Sequence, residues 1–202
     1  MGRSDLAWEG GQRKAIWIMW LRLWQRWLKK LEVFHRLEIN MTGFYTKQTI
    51  EHFRNPHNYG EIEKPDGKGD AGNIVCGDVM SLYIRVTKNK KNQEVIKDVK
   101  FKTYGCAAAI ATSSVITDLA KGKTIDQALK ISKADIVETL KGLPPIKIHC
   151  SILAIDALSE AIYQFLKEQK RPIPADLEVK HQRIAKSKQQ IEERYSKWMS
   201  KK

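Results

Sequence analysis

Two stretches in the middle of the chain alternate apolar and polar residues. Met80-Ser81-Leu82-Tyr83-Ile84-Arg85-Val86 is the first; Glu94 to Tyr104, with Val95, Val99, Phe101 and Thr103, is the second. Successive strand side chains point to opposite faces, so both stretches read as strands with one buried face. The polar link Lys88 to Asn92 is short enough to make them an antiparallel hairpin. Residues 55–72 are rich in glycine and proline and read as a long loop. Residues 69–75 offer a third strand at its end.

Elsewhere the apolar period is helical. Tyr45 to Arg54 is a short helix that Asn55-Pro56 stops, because the residue before proline avoids the helical region. Cys106 to Ala120 is a second, closed by Gly122. Thr124 to Lys130 and Ser132 to Lys141 are two short ones, each opened by a good N-cap residue. After the Gly142-Leu143-Pro144-Pro145 break, Ile148 to Lys167 is a long helix. Ile152, Ile155, Leu158, Ile162 and Phe165 form its apolar face, and Pro172 and Pro174 end it. Glu178 to Trp198 forms a last helix with Ile184, Ile191, Tyr195 and Trp198 in a stripe, either a mobile appendage or a docking element.

The start of the chain follows a different pattern. Over residues 12–37, Ile16, Trp20, Leu23, Trp24, Trp27, Leu28, Leu31 and Phe34 fall in one sector of a helical wheel, roughly 140° wide. Arg22, Arg26, Lys29, Lys30 and Arg36 fall opposite. Such a basic amphipathic helix suits a membrane surface, a partner protein or its own domain. A start of translation at Met41 would make it a non-native leader. Asp5, Glu9 and Glu32 speak against an organelle transit peptide, which is acid-poor. The chain therefore divides into an amphipathic extension (1–40), a central domain (41–170) and a basic helical extension (171–202).

Charge sharpens this division. The net charge is +13. Residues 1–40 hold 8 basic and 4 acidic residues, and residues 167–202 hold 11 and 5, so the centre carries only +3. No recognition motif accompanies the basic ends, so the excess charge does not indicate nucleic-acid binding. The longest apolar run, Ala15 to Leu21, is far shorter than a spanning helix. Three cysteines cannot build a disulfide framework, and an odd number without a signal peptide points to thiols kept reduced, as in the cytoplasm.

All three cysteines stand at boundaries between elements. Cys76 follows the Gly72 loop, Cys106 lies where the second strand turns through Gly105 into a helix, and Cys150 begins the long helix with His149 before it. Helix N-termini favour thiolate, through exposed N–H groups and the dipole. Strand ends and helix starts can meet at one sheet edge, with Asp78 and His149 at hand. A buried small apolar residue is the plain alternative for each cysteine.

Five blocks then match a known family. They are Asn55-Pro56-His57-Asn58-Tyr59-Gly60; Cys76-Gly77-Asp78-Val79-Met80; Phe101-Lys102-Thr103-Tyr104-Gly105-Cys106; Ala109-Ile110-Ala111-Thr112-Ser113-Ser114; and Leu143-Pro144-Pro145-Ile146-Lys147-Ile148-His149-Cys150-Ser151. In this order and spacing, residues 42–170 resemble the U-type iron–sulfur cluster assembly scaffolds, the IscU and NifU N-terminal family. The resemblance implies an α+β sandwich: a small three-stranded antiparallel sheet with helices on one face. It implies assembly of a [2Fe–2S] cluster and its transfer to apo-acceptor proteins, with a cysteine desulfurase as sulfur source.

Carried over by position, the resemblance makes Cys76, Cys106 and Cys150 the cluster ligands. Asp78 or His149 is the additional one. Leu143, Pro144, Pro145 and Lys147 match the stretch that an Hsp70-type chaperone recognises. Ala107 and Ala108 stand where many members have Gly and Ser, which leaves every ligand in place.

Cluster iron prefers thiolate, and four thiolates would hold a cluster permanently. Three, with a harder fourth ligand, suit a protein that must let go. Cys106, with Cys150 as its rival, is the expected acceptor of sulfur. The same donors suit Zn2+, so a zinc-binding regulatory module is the alternative. No acid/base pair or phosphate loop points to an enzyme.

Overall fold

A computed structural model describes residues 44–73 and 77–199. The amphipathic segment 12–37 and Cys76 lie outside the described residues. The described elements are α1 (Lys47–Arg54), β1 (Gly67–Gly72), β2 (Val79–Lys88), β3 (Glu94–Tyr104), α2 (Ala107–Ala120), α3 (Ile125–Leu129), α4 (Lys133–Thr139), α5 (His149–Glu168) and α6 (Ala175–Met199). A 3-10 turn over Pro145–Lys147 leads into α5.

The three strands form one antiparallel sheet in the order β1-β2-β3. Opposed residues Gly69, Leu82 and Phe101 share one face, as do Gly67, Ile84 and Val99. All six are buried. A bulge between Arg85 and Val86 shifts the register so that Ile96 is buried as well. Helix α5 covers β1 and β2 on this face, and α2 covers β3. The expected α+β architecture is what the chain adopts. The expected hairpin is β2-β3, and Thr124 and Ser132 cap α3 and α4 in complete capping boxes.

Two expectations need correction. The third strand, expected over 69–75, is formed by residues 67–72, which lie at the end of the expected loop. Their glycines hide the pattern because the backbone of α5 lies directly on them. A Cβ built on Gly69 would sit 2.1 Å from the Ala157 carbonyl oxygen and 2.3 Å from the Ala161 nitrogen. Glycine inside a strand marks such close approach. The second concerns the apolar face of α5. Ile152 is 38% exposed, while Ala154, Ala157 and Ala161 are fully buried. Leu158, Ile162 and Phe165 of the expected face are buried and Ile155 packs against the core, so the correction is to Ile152 alone; Ala157 and Ala161 supply the close backbone contact with β1.

The last helix also packs on its own domain. Leu177 and Ile184 of α6 are buried. Arg183 pairs with Asp156 and His181 with Glu160, both on α5, and Lys188 lies 3.9 Å from Asp70 on β1. Basic residues of α6 are thus in part matched to acidic positions on the domain. The side chains of Tyr195 and Trp198 lie outside the described residues.

The free side of β3 is covered by short segments. Phe101 donates to the Asn58 carbonyl and accepts from the Gly60 amide; Ile96 exchanges bonds with Lys123 and Gly122. Tyr59 pairs with Phe101 and Thr124 with Val95 as isolated bridges. Among the described residues no helix is long and apolar enough to cross a membrane.

Candidate metal centre

At one end of the sheet the chain leaves β3, turns through Gly105 and enters α2, with Cys106 as the N-cap residue. Cys150 is the second residue of α5, reached through the Pro145–Lys147 turn. Asp78 immediately precedes β2. These three residues meet. The Cys106 and Cys150 sulfurs are 3.8 Å apart, and Asp78 Oδ2 lies 3.8 Å from the first and 3.9 Å from the second. Taken together, one carboxylate oxygen and two sulfurs lie within 4.8 Å of one another.

The surroundings explain the placement. Gly105 leaves room for Asp78: a Cβ there would come within 3.0 Å of the carboxylate carbon and 2.8 Å of the Ala109 methyl. Ala108, Ala109 and Cys150 form a small apolar cluster against which Tyr45, Cys106 and Leu143 pack. Ala108, one of the two positions that differ from the common family pattern, is thus a packing residue. Cys150 is 1% exposed and Asp78 6%, whereas Cys106 is half-buried. Asp78 and Cys150 are held in the wall, and of the two described sulfurs Cys106 is the more exposed.

The electrostatics favour a thiolate at Cys106. A hydrogen bond from Cys150 is the largest influence, assisted by the Ala109 amide and, more weakly, by the Lys147 ammonium; burial and the Asp78 charge oppose them. The outcome is a thiol lowered from 9.0 to about 5. Lys147 shows the reciprocal effect, its pKa raised chiefly by the Cys106 charge. Burial, followed by the Cys106 charge, raises the pKa of Tyr45.

His149 stands in the first turn of α5, outside the 4.8 Å set. Its Nε2 is buried without a hydrogen-bond partner among the described residues. Such an orphan is costly unless something not seen here satisfies it. Leu143 packs into both apolar clusters, Pro144 and Lys147 are half-buried, and Pro145 and Ile146 are exposed. Of the five residues singled out as ligands, the structure gathers Asp78, Cys106 and Cys150, leaves His149 one residue from Cys150, and does not describe Cys76. Sequence reasoning missed Tyr45 as a neighbour of the sulfurs, for it is 61 positions from Cys106 and nothing in its local pattern marks it.

Two thiols and a carboxylate at the end of an α+β sandwich define a protein equipped to hold a soft or borderline metal ion in a partly open site. The chain matches the NifU-like N-terminal domain model over residues 44–172, and it belongs to that family. It is 52% identical over 124 residues to the iron–sulfur cluster assembly scaffold protein IscU 1 of Archaeoglobus fulgidus, covering 61% of this chain and 78% of that one. It is 47% identical over 124 residues to the scaffold protein IscU of Escherichia coli K12, covering 60% and 93%. A third relative, the iron–sulfur cluster assembly enzyme IscU of Drosophila melanogaster, is 44% identical over 140 residues, covering 67% and 88%.

Proposed function

We propose that this chain is a scaffold on which iron and sulfur are assembled into a [2Fe–2S] cluster, carried as cargo and passed to apo-acceptor proteins. The observation that carries this reading is the convergence of Asp78, Cys106 and Cys150 from three separate elements. It stands beside relatives named as cluster assembly scaffolds. Cys76, two residues before Asp78, supplies the third thiolate; two steps along the chain span at most about 7.6 Å between Cα atoms. Asp78 is the harder ligand that makes the cargo removable, and His149 the second candidate for that place. The role we read for the chain is that of a scaffold.

Sulfur arrives from a cysteine desulfurase. The Cys106 thiolate attacks the outer sulfur of the desulfurase persulfide, whose own cysteine leaves as thiolate. Cys106 is favoured over Cys150 because it is the more exposed and already ionised. The exposed Pro145 and Ile146, with Leu143, Pro144 and Lys147, form a surface suited to an Hsp70-type chaperone. The thiol chemistry suits a reducing compartment such as the cytoplasm. A zinc-binding module is the second reading, because the same donors suit Zn2+.

Anaerobic incubation with Fe2+, cysteine, a desulfurase and dithiothreitol, which reduces the persulfide sulfur to sulfide, tests the proposal. Visible sulfur-to-iron charge-transfer absorption is expected, and it should move to an apo-ferredoxin on mixing. A chromophore that fails to form, or one that stays on the chain, refutes it. Asp78→Ala is expected to slow transfer several-fold, because it removes the hard ligand from the labile corner; unchanged or faster transfer, followed by acceptor absorbance, would contradict that assignment.

A further inference from the structure

The block Asn55-Pro56-His57-Asn58-Tyr59-Gly60 is not explained by the thiolate site. It lies against the C-terminal half of α2, about two to three turns from Cys106. There the His57 Nδ1 is 2.6 Å from Asp118 Oδ2, and Asn58 donates to Asp118 Oδ1 and to Thr117 Oγ1 at 3.0 Å each. Asn58 adopts a left-handed conformation, φ 57°, which turns its amide onto the helix. His52, from the last turn of α1, comes in beside His57 with ring centroids 4.7 Å apart, and its Nδ1 is 2.9 Å from Ser114 Oγ. Ser114 and Asp118 are one turn apart on the same face of α2.

From this geometry we infer a second ion site: His52, His57 and Asp118 bind a divalent transition-metal ion through two imidazole nitrogens and one carboxylate oxygen. The three donor atoms lie within 4.8 Å of one another. Tetrahedral ligands around Zn2+ at about 2.0–2.2 Å lie roughly 3.3–3.6 Å apart, so the His57–Asp118 pair must open and the wider pairs close by about an ångström to complete the set. His57 and Asp118 are 53% and 39% exposed. That leaves remaining positions to water and gives the ion a path in. Ser114 and Asn58 are the outer partners that fix ring and carboxylate orientation, as metal-bound histidines require. Burial, then His57, lowers the pKa of His52, with the Asp118 and Glu51 charges opposing. The donors are nitrogen and oxygen alone. The site therefore takes borderline ions such as Zn2+, Co2+ or Fe2+, independently of thiol redox state. By joining α1, the 55–60 loop and α2, the ion would clamp the loop that also covers β3.

Metal titration of the full-length chain tests this. With Cys76, Cys106 and Cys150 replaced by alanine, about one equivalent of Zn2+ is expected to bind and to raise the melting temperature. His57→Ala and Asp118→Asn should each abolish both effects. Should the cysteine-free chain not fold, Co2+ added to the unmodified chain decides the matter. Visible ligand-field bands without thiolate charge transfer should disappear in His57→Ala, while the near-ultraviolet thiolate bands persist. The inference is overturned if Zn2+ does not bind the folded cysteine-free chain. It is equally overturned if His57→Ala and Asp118→Asn leave stoichiometry or the Co2+ visible bands unchanged, which would leave those side chains only a structural hydrogen-bonding role.

Discussion

Alkylation of Cys106 by iodoacetamide is expected to reach half its plateau rate near pH 5, not near the ordinary thiol value of 9.0. The thiolate is the nucleophile, so the rate follows its fraction. At pH 6 the lowered pKa makes the ionised fraction about 900 times larger. A less basic thiolate is a weaker nucleophile, with a Brønsted slope of about 0.45, which returns roughly 60-fold of that gain. The net acceleration over an ordinary thiol is on the order of tenfold. Peptide-resolved mass spectrometry separates Cys106 from the other two cysteines. Cys150→Ala should shift the midpoint upward further than Lys147→Ala does, because the Cys150 hydrogen bond is the larger influence. A wild-type midpoint near 9, or one indifferent to Cys150→Ala, would show that the neighbouring sulfur does not hold the charge. The linkage has a definite sign. The folded value lies below the unfolded one, so the thiolate contributes stability that is complete above about pH 9 and lost as the pH falls through about 5.

Gly69→Ala should be the most damaging single methyl in the sheet. The new carbon would lie 2.1 Å and 2.3 Å from backbone atoms of Ala157 and Ala161. Neither obstacle can rotate away, so α5 must lift from β1. Overpacking commonly costs 1–3 kcal/mol, and contact with backbone on two sides places this case at about 3 kcal/mol or more. At roughly 2–4 °C per kcal/mol, the melting temperature should fall by about 10 °C. A variant melting within about 2 °C of the parent would mean that α5 does not rest directly on the backbone of β1.

The same contact explains what could be read from the residues and what could not. Strands β2 and β3 were legible because their buried face packs large side chains, and alternation of Leu82, Ile84, Val99 and Phe101 with polar neighbours is a local signal. Strand β1 carries Gly67, Gly69 and Ala71 on that face. Its reason for being a strand is the backbone of a helix some ninety residues away, so composition suggests loop for 55–72 and the strand is offered only at its end, over 69–75. Ile152 misleads in the converse way: a large apolar residue attracts attention, yet Ala157 and Ala161 make the close contact. The caps at Thr124 and Ser132 depend on neighbours three residues on and were visible at once. The cluster of His52, His57 and Asp118 left no trace in the sequence, since only the seating of α1 and its following loop against α2 brings these residues together.

The segments lying along β3 have a consequence for how other proteins approach. A bare outer strand invites an extended peptide to add itself to the sheet. Here Asn58 and Gly60 already occupy the outward amide and carbonyl of Phe101, and Gly122 and Lys123 those of Ile96. A visitor seeking main-chain rungs finds those two positions taken. Recognition on that flank must rely on side chains and loop tips, a mode that lets a client dock and depart without unzipping the domain's own framework.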